Sequence, residues 1–307
     1  MKSLRTTLKD YLAVRRSLGF DLQKHEHALH GFVKFFAAQG EDYLTTSVAL
    51  QWAREPQGTD PAWWTDRLSM LRSFATYWRT VDPRTEIPPL SLLLPYYKRP
   101  APYIYTDQEI ARILAATREW SSGDTLTYWT LFGLLAITGM RIGEALAMDD
   151  ADVDLAKGTL NIRDGKRGKP RLLPLHSTTC EVLQEYRHWR RRRFRQATTP
   201  SFFLVLDGRR SSHYMPWTTF KRVLVDLGLR MPSQKKGPRL HDLRHTFAVR
   251  VLIELYRKGK VVGPGIQALS MYLGHADIRS TYWYLTAVPE LMALALARLE
   301  SGTGGVL

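Results

Sequence analysis

A single cysteine, Cys180, is all the thiol chemistry in this chain. That excludes a disulfide framework and any zinc site built on cysteine. Long hydrophobic runs are also missing. Apolar stretches such as 131–137 are far too short to span a bilayer, and the start of the chain has no signal-peptide core. The chain therefore reads as cytosolic, a compartment that in a bacterium includes the nucleoid. Acidic residues are scarce beside basic ones: 29 Asp and Glu stand against 44 Lys and Arg, a net charge of +15 with a pI near 10.0. Such an excess costs self-repulsion in a compact fold, so it points to a polyanionic partner. A ribosome-like or merely soluble basic protein is the plainer alternative.

What is present fits two domains in 307 residues. Residues 1–87 read as a helical domain. Leu4, Leu8, Tyr11, Leu12 and Leu18 share one helical face, and Gly19 supplies a stop. A second helix is expected from about Leu22 to Gln39, burying Leu29, Phe32, Val33 and Phe36. A third, capped by Thr45 or Thr46, runs through Trp52, and a fourth from Pro61 to Trp78. Five prolines lie between Pro88 and Pro102, and proline removes backbone donors and disfavours helix in the residue before it. Residues 88–105 are therefore expected to be a linker.

The second domain, 106–307, opens on the capping box Thr106-Asp-Gln-Glu109. It reads as mainly α with a small antiparallel β insertion, strands at 159–163 and 171–175 joined by the glycine-rich, basic DGKRGK. Further helices are expected around 180–193, 217–227, 240–256, 265–272 and 289–299.

Six residues in this domain carry possible chemistry: Arg141 in TGMRIGEAL, Lys166 in the basic turn, His241 and Arg244 in HDLRHTFA, His275 in YLGH, and Tyr284 in STYWYL. Arginine forms bidentate bonds to phosphate and keeps its proton, so Arg141 and Arg244 can clamp one phosphate from two sides. His241 and His275 can add hydrogen bonds or move a proton near neutral pH. Lys166 suits a general acid. Tyrosine is a poor nucleophile at its free pKa of about 10, and cationic neighbours favour the phenolate. Each residue alone has a plain structural reading: a cap, a solvated turn, a helix end, a packed ring. Lys169 competes with Lys166, His245 with His241, and Tyr282 with Tyr284. Residues two apart on a helix point about 200° apart, so only one of the two tyrosines can face a phosphate.

The ordered set resembles the tyrosine recombinase (phage integrase) family over roughly residues 103–290, with the helical segment before it similar to the family's core-binding domain. The resemblance implies a C-shaped clamp around double-stranded DNA and a recombinase or integrase that cleaves and rejoins strands. The route is a 3′-phosphotyrosyl intermediate and a Holliday junction, with no metal and no cofactor. It implies Arg141, Lys166, His241, Arg244, His275 and Tyr284 as the catalytic set, with Glu144 as an accessory carboxylate. A type IB topoisomerase-like enzyme or a non-catalytic DNA-binding accessory protein are the alternative readings. Arg190, Arg191, Arg192 and Arg193, with Lys235, Lys236 and Arg239, are expected to touch the DNA backbone. The apolar 289–299 helix is expected to pack between subunits of a tetramer on two DNA sites, with accessory proteins or sister recombinases as further partners. The cargo is expected to be a mobile element.

Overall fold

The computed structural model describes residues 3–20, 22–93, 100–120, 123–163, 170–205, 208–234, 236–258 and 262–303. The chain divides into two compact units, Met1–Arg99 and Pro100–Leu307.

The first unit holds α1 (Leu4–Ser17), α2 (Gln23–Gln39), α3 (Thr46–Arg54) and α4 (Pro61–Trp78). Local chemistry sets their starts. Ser3 and Thr45 accept N–H bonds from α1 and α3, and Asp60 caps α4 with Pro61 in the first turn. The apolar faces close on one core of Leu8, Leu29, Phe32, Trp52, Leu71 and Phe74. Leu18 departs from its expected place on that face and is 67 % exposed. α1 stops at Ser17 and Gly19 turns left-handed at φ +82°, so Leu18 no longer follows the helical stripe. Arg72 on α4 donates to the carbonyls of Pro88 and Pro89 at 2.7 and 2.8 Å, which ties the start of the proline-rich segment to this unit.

In the second unit the capping box forms as expected. Glu109 N–H donates to Thr106 Oγ1, and Thr106 N–H donates to the Glu109 carboxylate, opening α5 (Asp107–Glu119). α6 (Thr125–Thr138) is apolar almost all round, and a helix of that kind belongs inside. It is followed by α7 (Ile142–Ala147) and a three-stranded antiparallel sheet of β1 (Val153–Asp154), β2 (Thr159–Ile162) and β3 (Arg171–Pro174), in that order. Leu160 sits opposite Leu173, and both are buried. Lys166 and Lys169 lie outside the described residues.

The chain continues through α8 (Ser177–Arg193), a two-stranded pair β4 (Leu204–Val205) and β5 (Arg209–Arg210), and α9 (Tyr214–Asp226). β1, β4 and β5 have no forerunner in the sequence reading, because two residues are too few to show alternation. α9 begins at Tyr214, ahead of the expected 217, because Pro216 falls in its first turn, where a missing N–H is harmless. Then come α10 (Asp242–Arg257), α11 (Val262–Leu273), α12 (Arg279–Ala287) and α13 (Pro289–Thr303). α10 is buried along Leu243, Ala248, Val249 and Leu252. Leu291 of α13 is fully buried in the cluster that α10, α11 and α12 form, while Met292 and Leu296 face outward. The helix expected to pack between subunits thus also fills its own core. Among the described residues no helix is long and apolar enough to cross a membrane.

Candidate active site

The site is organised around the C-terminal end of α11. The last carbonyls of a helix have no partner within it and carry partial negative charge. Three arginines supply the donors. Arg171 Nε donates to Tyr272 O at 2.7 Å, Arg244 Nη2 to Leu273 O at 2.7 Å, and Arg141 Nη2 to Gly274 O at 2.9 Å. Gly274 makes this possible. Its φ is +65°, and a Cβ there would lie 2.6 Å from Arg171 Nη1. The glycine of the Leu-Gly-His motif is therefore needed twice, for its backbone angle and for the space a guanidinium occupies.

Arg141 reaches this point because α6 ends at Gly139 (φ +61°) and the chain turns into α7. Glu144, in the first turn of α7, accepts from the Arg141 backbone N–H at 2.9 Å and from Arg141 Nη1 at 2.8 Å. The same carboxylate receives a two-pronged bond from Arg171, at 3.1 and 2.8 Å. Burial by itself would push the Glu144 carboxyl up. Hydrogen bonds and charge from Arg171 and Arg141 outweigh it and hold the group below the usual carboxylate range.

Arg244 is 3 % exposed and also donates to Gly139 O at 2.8 Å. Burial, and then the charge of Arg141, lower its guanidinium to about 10. It stays protonated at neutral pH, beside a like charge. Three guanidinium groups with one carboxylate leave an excess of positive charge that an anion relieves.

The proton-bearing groups lie next to this cluster. His241 immediately precedes α10, and His245 follows one turn on. Their rings meet edge to face with centroids 4.7 Å apart. His245 Nδ1 is 2.7 Å from the Tyr284 hydroxyl. Tyr284 is 1 % exposed whereas Tyr282 is 44 % exposed, so the two point to different surroundings, as helical geometry requires. Tyr284 interacts electrostatically with Arg244. His275 Nδ1 lies 2.7 Å from Thr281 Oγ1, which links the Leu-Gly-His turn to α12.

The expected DNA-contacting residues divide. Arg187 Nε, Arg190 Nη1 and Arg191 Nη2 all converge on the Asp150 carboxylate, at 2.9, 2.8 and 3.3 Å. The Arg190 side chain is only 11 % exposed and is held inside, whereas Arg191, Arg192 and Arg193 are exposed. Lys236 is exposed. Arg239 holds the buried Asp242 at 3.1 Å, a carboxyl that burial pushes up despite Arg239. Lys235 lies outside the described residues.

Sequence reasoning missed Arg171. A signal existed: in β3 it shares its face with buried Leu173, while Leu172 between them points to solvent. A charged residue on the inward face of a short strand needs a buried partner.

An arginine pair backed by a carboxylate, with a tyrosine on a following helix, set on this α-rich fold with a small antiparallel sheet, defines a tyrosine recombinase catalytic domain. The Phage integrase family model matches residues 104–290. The chain is 40% identical to a putative integrase/recombinase, y4rB, of Sinorhizobium fredii, over 98% of each chain. It is 28% identical to the tyrosine recombinase XerD of Staphylococcus epidermidis, over 71% of this chain and 69% of that one. Among solved structures it is similar in fold to the XerH site-specific recombinase bound to difH (TM-score 0.68, 19% identity, 99% of this chain and 84% of that one). It is similarly related to the Tn1549 transposon integrase in complex with transposon right end DNA (TM-score 0.63, 16% identity, 95% and 99%). The chain belongs to the phage integrase family. It is a site-specific recombinase, an enzyme that cleaves and rejoins DNA.

Proposed function

We propose that this recombinase binds its double-stranded DNA site through both units, 1–87 as a core-binding domain and 106–307 as the catalytic domain, with 88–105 between them. The convergence of Arg141 and Arg244 on the end of α11, with the Tyr284 hydroxyl held against His245, the residue after Arg244, carries the reading. A scissile phosphate entering there would take donors from both guanidinium groups, which stabilise charge as it builds on the nonbridging oxygens. Tyr284 Oη attacks phosphorus and forms the 3′-phosphotyrosyl bond. The P–O5′ bond breaks, and Lys166 protonates the departing 5′ oxygen. A 5′ hydroxyl from the partner strand reverses the sequence, so bond energy is conserved and exchange proceeds through a Holliday junction. His241 and His275 add hydrogen bonds to the phosphate, and Glu144 holds Arg141 in place.

Four copies act on two DNA sites, joined through α13, whose outward Met292 and Leu296 favour such packing. Arg191, Arg192, Arg193, Lys235, Lys236 and Arg239 follow the DNA backbone, with Arg190 reaching it only if it leaves Asp150. The element served is mobile, with sister recombinases or accessory proteins as partners, and the protein works at the nucleoid.

A nicked suicide substrate tests this. The site is first located by sequencing the covalent protein–DNA junction on genomic DNA. Wild type and Tyr282→Phe should become covalently attached in the presence of chelator, and Tyr284→Phe should not. An adduct in Tyr284→Phe would remove the nucleophile assignment, and a strict metal requirement would remove the mechanism.

A further inference from the structure

The Tyr284 hydroxyl has a direct partner that lies outside the catalytic set the family resemblance implies. His245 is buried one turn into α10, with Nδ1 2.7 Å from Tyr284 Oη. The pair sits at the apolar cluster of Ala248, Val249, Leu269 and Leu273. Trp283 lies 5.7 Å from the His245 ring and His241 lies 4.7 Å from it, centroid to centroid. A phenol in such surroundings has little water to take its proton, so an acceptor in contact with it matters. The contact that His275 makes through Nδ1 is with Thr281 instead.

We propose that His245 is the general base for Tyr284, accepting the phenolic proton on Nδ1 as Oη attacks phosphorus. The assignment rests on Tyr284 being the nucleophile. It needs Nδ1 unprotonated, with the ring proton on Nε2. An Oη electron pair forms the Oη–P bond, and the Oη proton moves to Nδ1, giving an imidazolium. The P–O5′ pair leaves with the 5′ oxygen, which is protonated from the other side by a separate acid. In rejoining, the 5′ hydroxyl attacks, the Oη–P bond breaks, and Oη recovers its proton from His245. No further reactant is consumed. Imidazole suits this reversible exchange near neutral pH.

The test separates the nucleophile's side of the reaction from the leaving group's. His245→Asn keeps an amide oxygen near the Nδ1 position that can accept the tyrosine hydrogen bond but cannot carry the proton away. Adduct formation is timed on an ordinary suicide duplex and on one with a 5′-bridging phosphorothiolate, whose sulfur leaves without protonation. His245→Asn should slow cleavage by ~10²–10⁴ on both substrates, with DNA affinity unchanged. Lys166→Ala should be slow on the oxygen substrate and recover on the sulfur one. His245→Gln serves the same comparison should circular dichroism show the asparagine variant unfolded. Wild-type cleavage by a folded His245→Asn, or its recovery on sulfur, would overturn the base assignment alone. An adduct that persists in Tyr284→Phe would overturn the nucleophile and this assignment with it.

Discussion

Replacing Arg171 by methionine keeps the apolar stem but removes the two bonds to Glu144 and the one to Tyr272 O. The Glu144 side chain is 3 % exposed, so its charge cannot turn to water instead. Breaking a buried pair from one side costs about 3–5 kcal/mol. Glu144 keeps Arg141 Nη1 and the Arg141 backbone N–H, which places the expected loss at the lower end, about 3 kcal/mol. Urea denaturation of the full chain measures it. In a cycle with Glu144→Gln, the double variant should lose less than the sum of the singles, by about 2 kcal/mol.

The pH dependence follows from the same pair. The folded Glu144 pKa is depressed, so its contribution is complete above the ordinary carboxylate range and is lost as pH falls through the depressed value. Arg171→Met should move that loss to higher pH. Cleavage should also suffer, because Arg141 loses the anchored carboxylate that orients it. A displacement of about 1 Å at a reacting phosphate costs about 100-fold. Additive losses in the cycle, or wild-type cleavage by Arg171→Met, would refute the coupling.

Gly274→Ala should lower the urea midpoint and cleavage together, since it adds a Cβ onto Arg171 at φ +65°. Gly19→Ala, at φ +82° with nothing within 4 Å, should show only the backbone cost of about 1–2 kcal/mol and leave the Tyr284 adduct rate unchanged. Equal cleavage defects in the two would remove the steric argument. Arg192→Gln with Arg193→Gln should reduce the slope of log affinity against log salt by about 1.8, the value for two lost phosphate contacts, with little change in stability. Arg190→Gln should do the reverse, because its guanidinium is committed to Asp150; filter binding and urea denaturation distinguish the two patterns.

Much of the helical scaffold was legible because the signals are local. Thr106 and Glu109 lie three residues apart, Asp60-Pro61 starts a helix by itself, and the α4 stripe from Leu68 to Trp78 repeats within one element. Leu18 failed that logic because a helix end depends on the one residue where the chain turns away. The short strands β1, β4 and β5 failed it because their pairing partners lie elsewhere in the chain. The arginine run shows the same limit from the charge side. Four consecutive arginines look equivalent in sequence, yet Arg190 faces Asp150, some forty residues earlier in the chain, while Arg192 and Arg193 face solvent.

The sequence by itself determined the family and the chemical types available: two arginines for a phosphate, histidines for protons, a tyrosine to choose from a pair. Those follow from residue identity and short spacing. Only the tertiary structure decided that Arg141, Arg171 and Arg244 share the last carbonyls of α11, that Glu144 joins two of them, and that His245 is the histidine against the Tyr284 hydroxyl. Each of those contacts joins separate elements, and a buried charge or hydroxyl takes the nearest partner that folding supplies, whatever the distance along the chain.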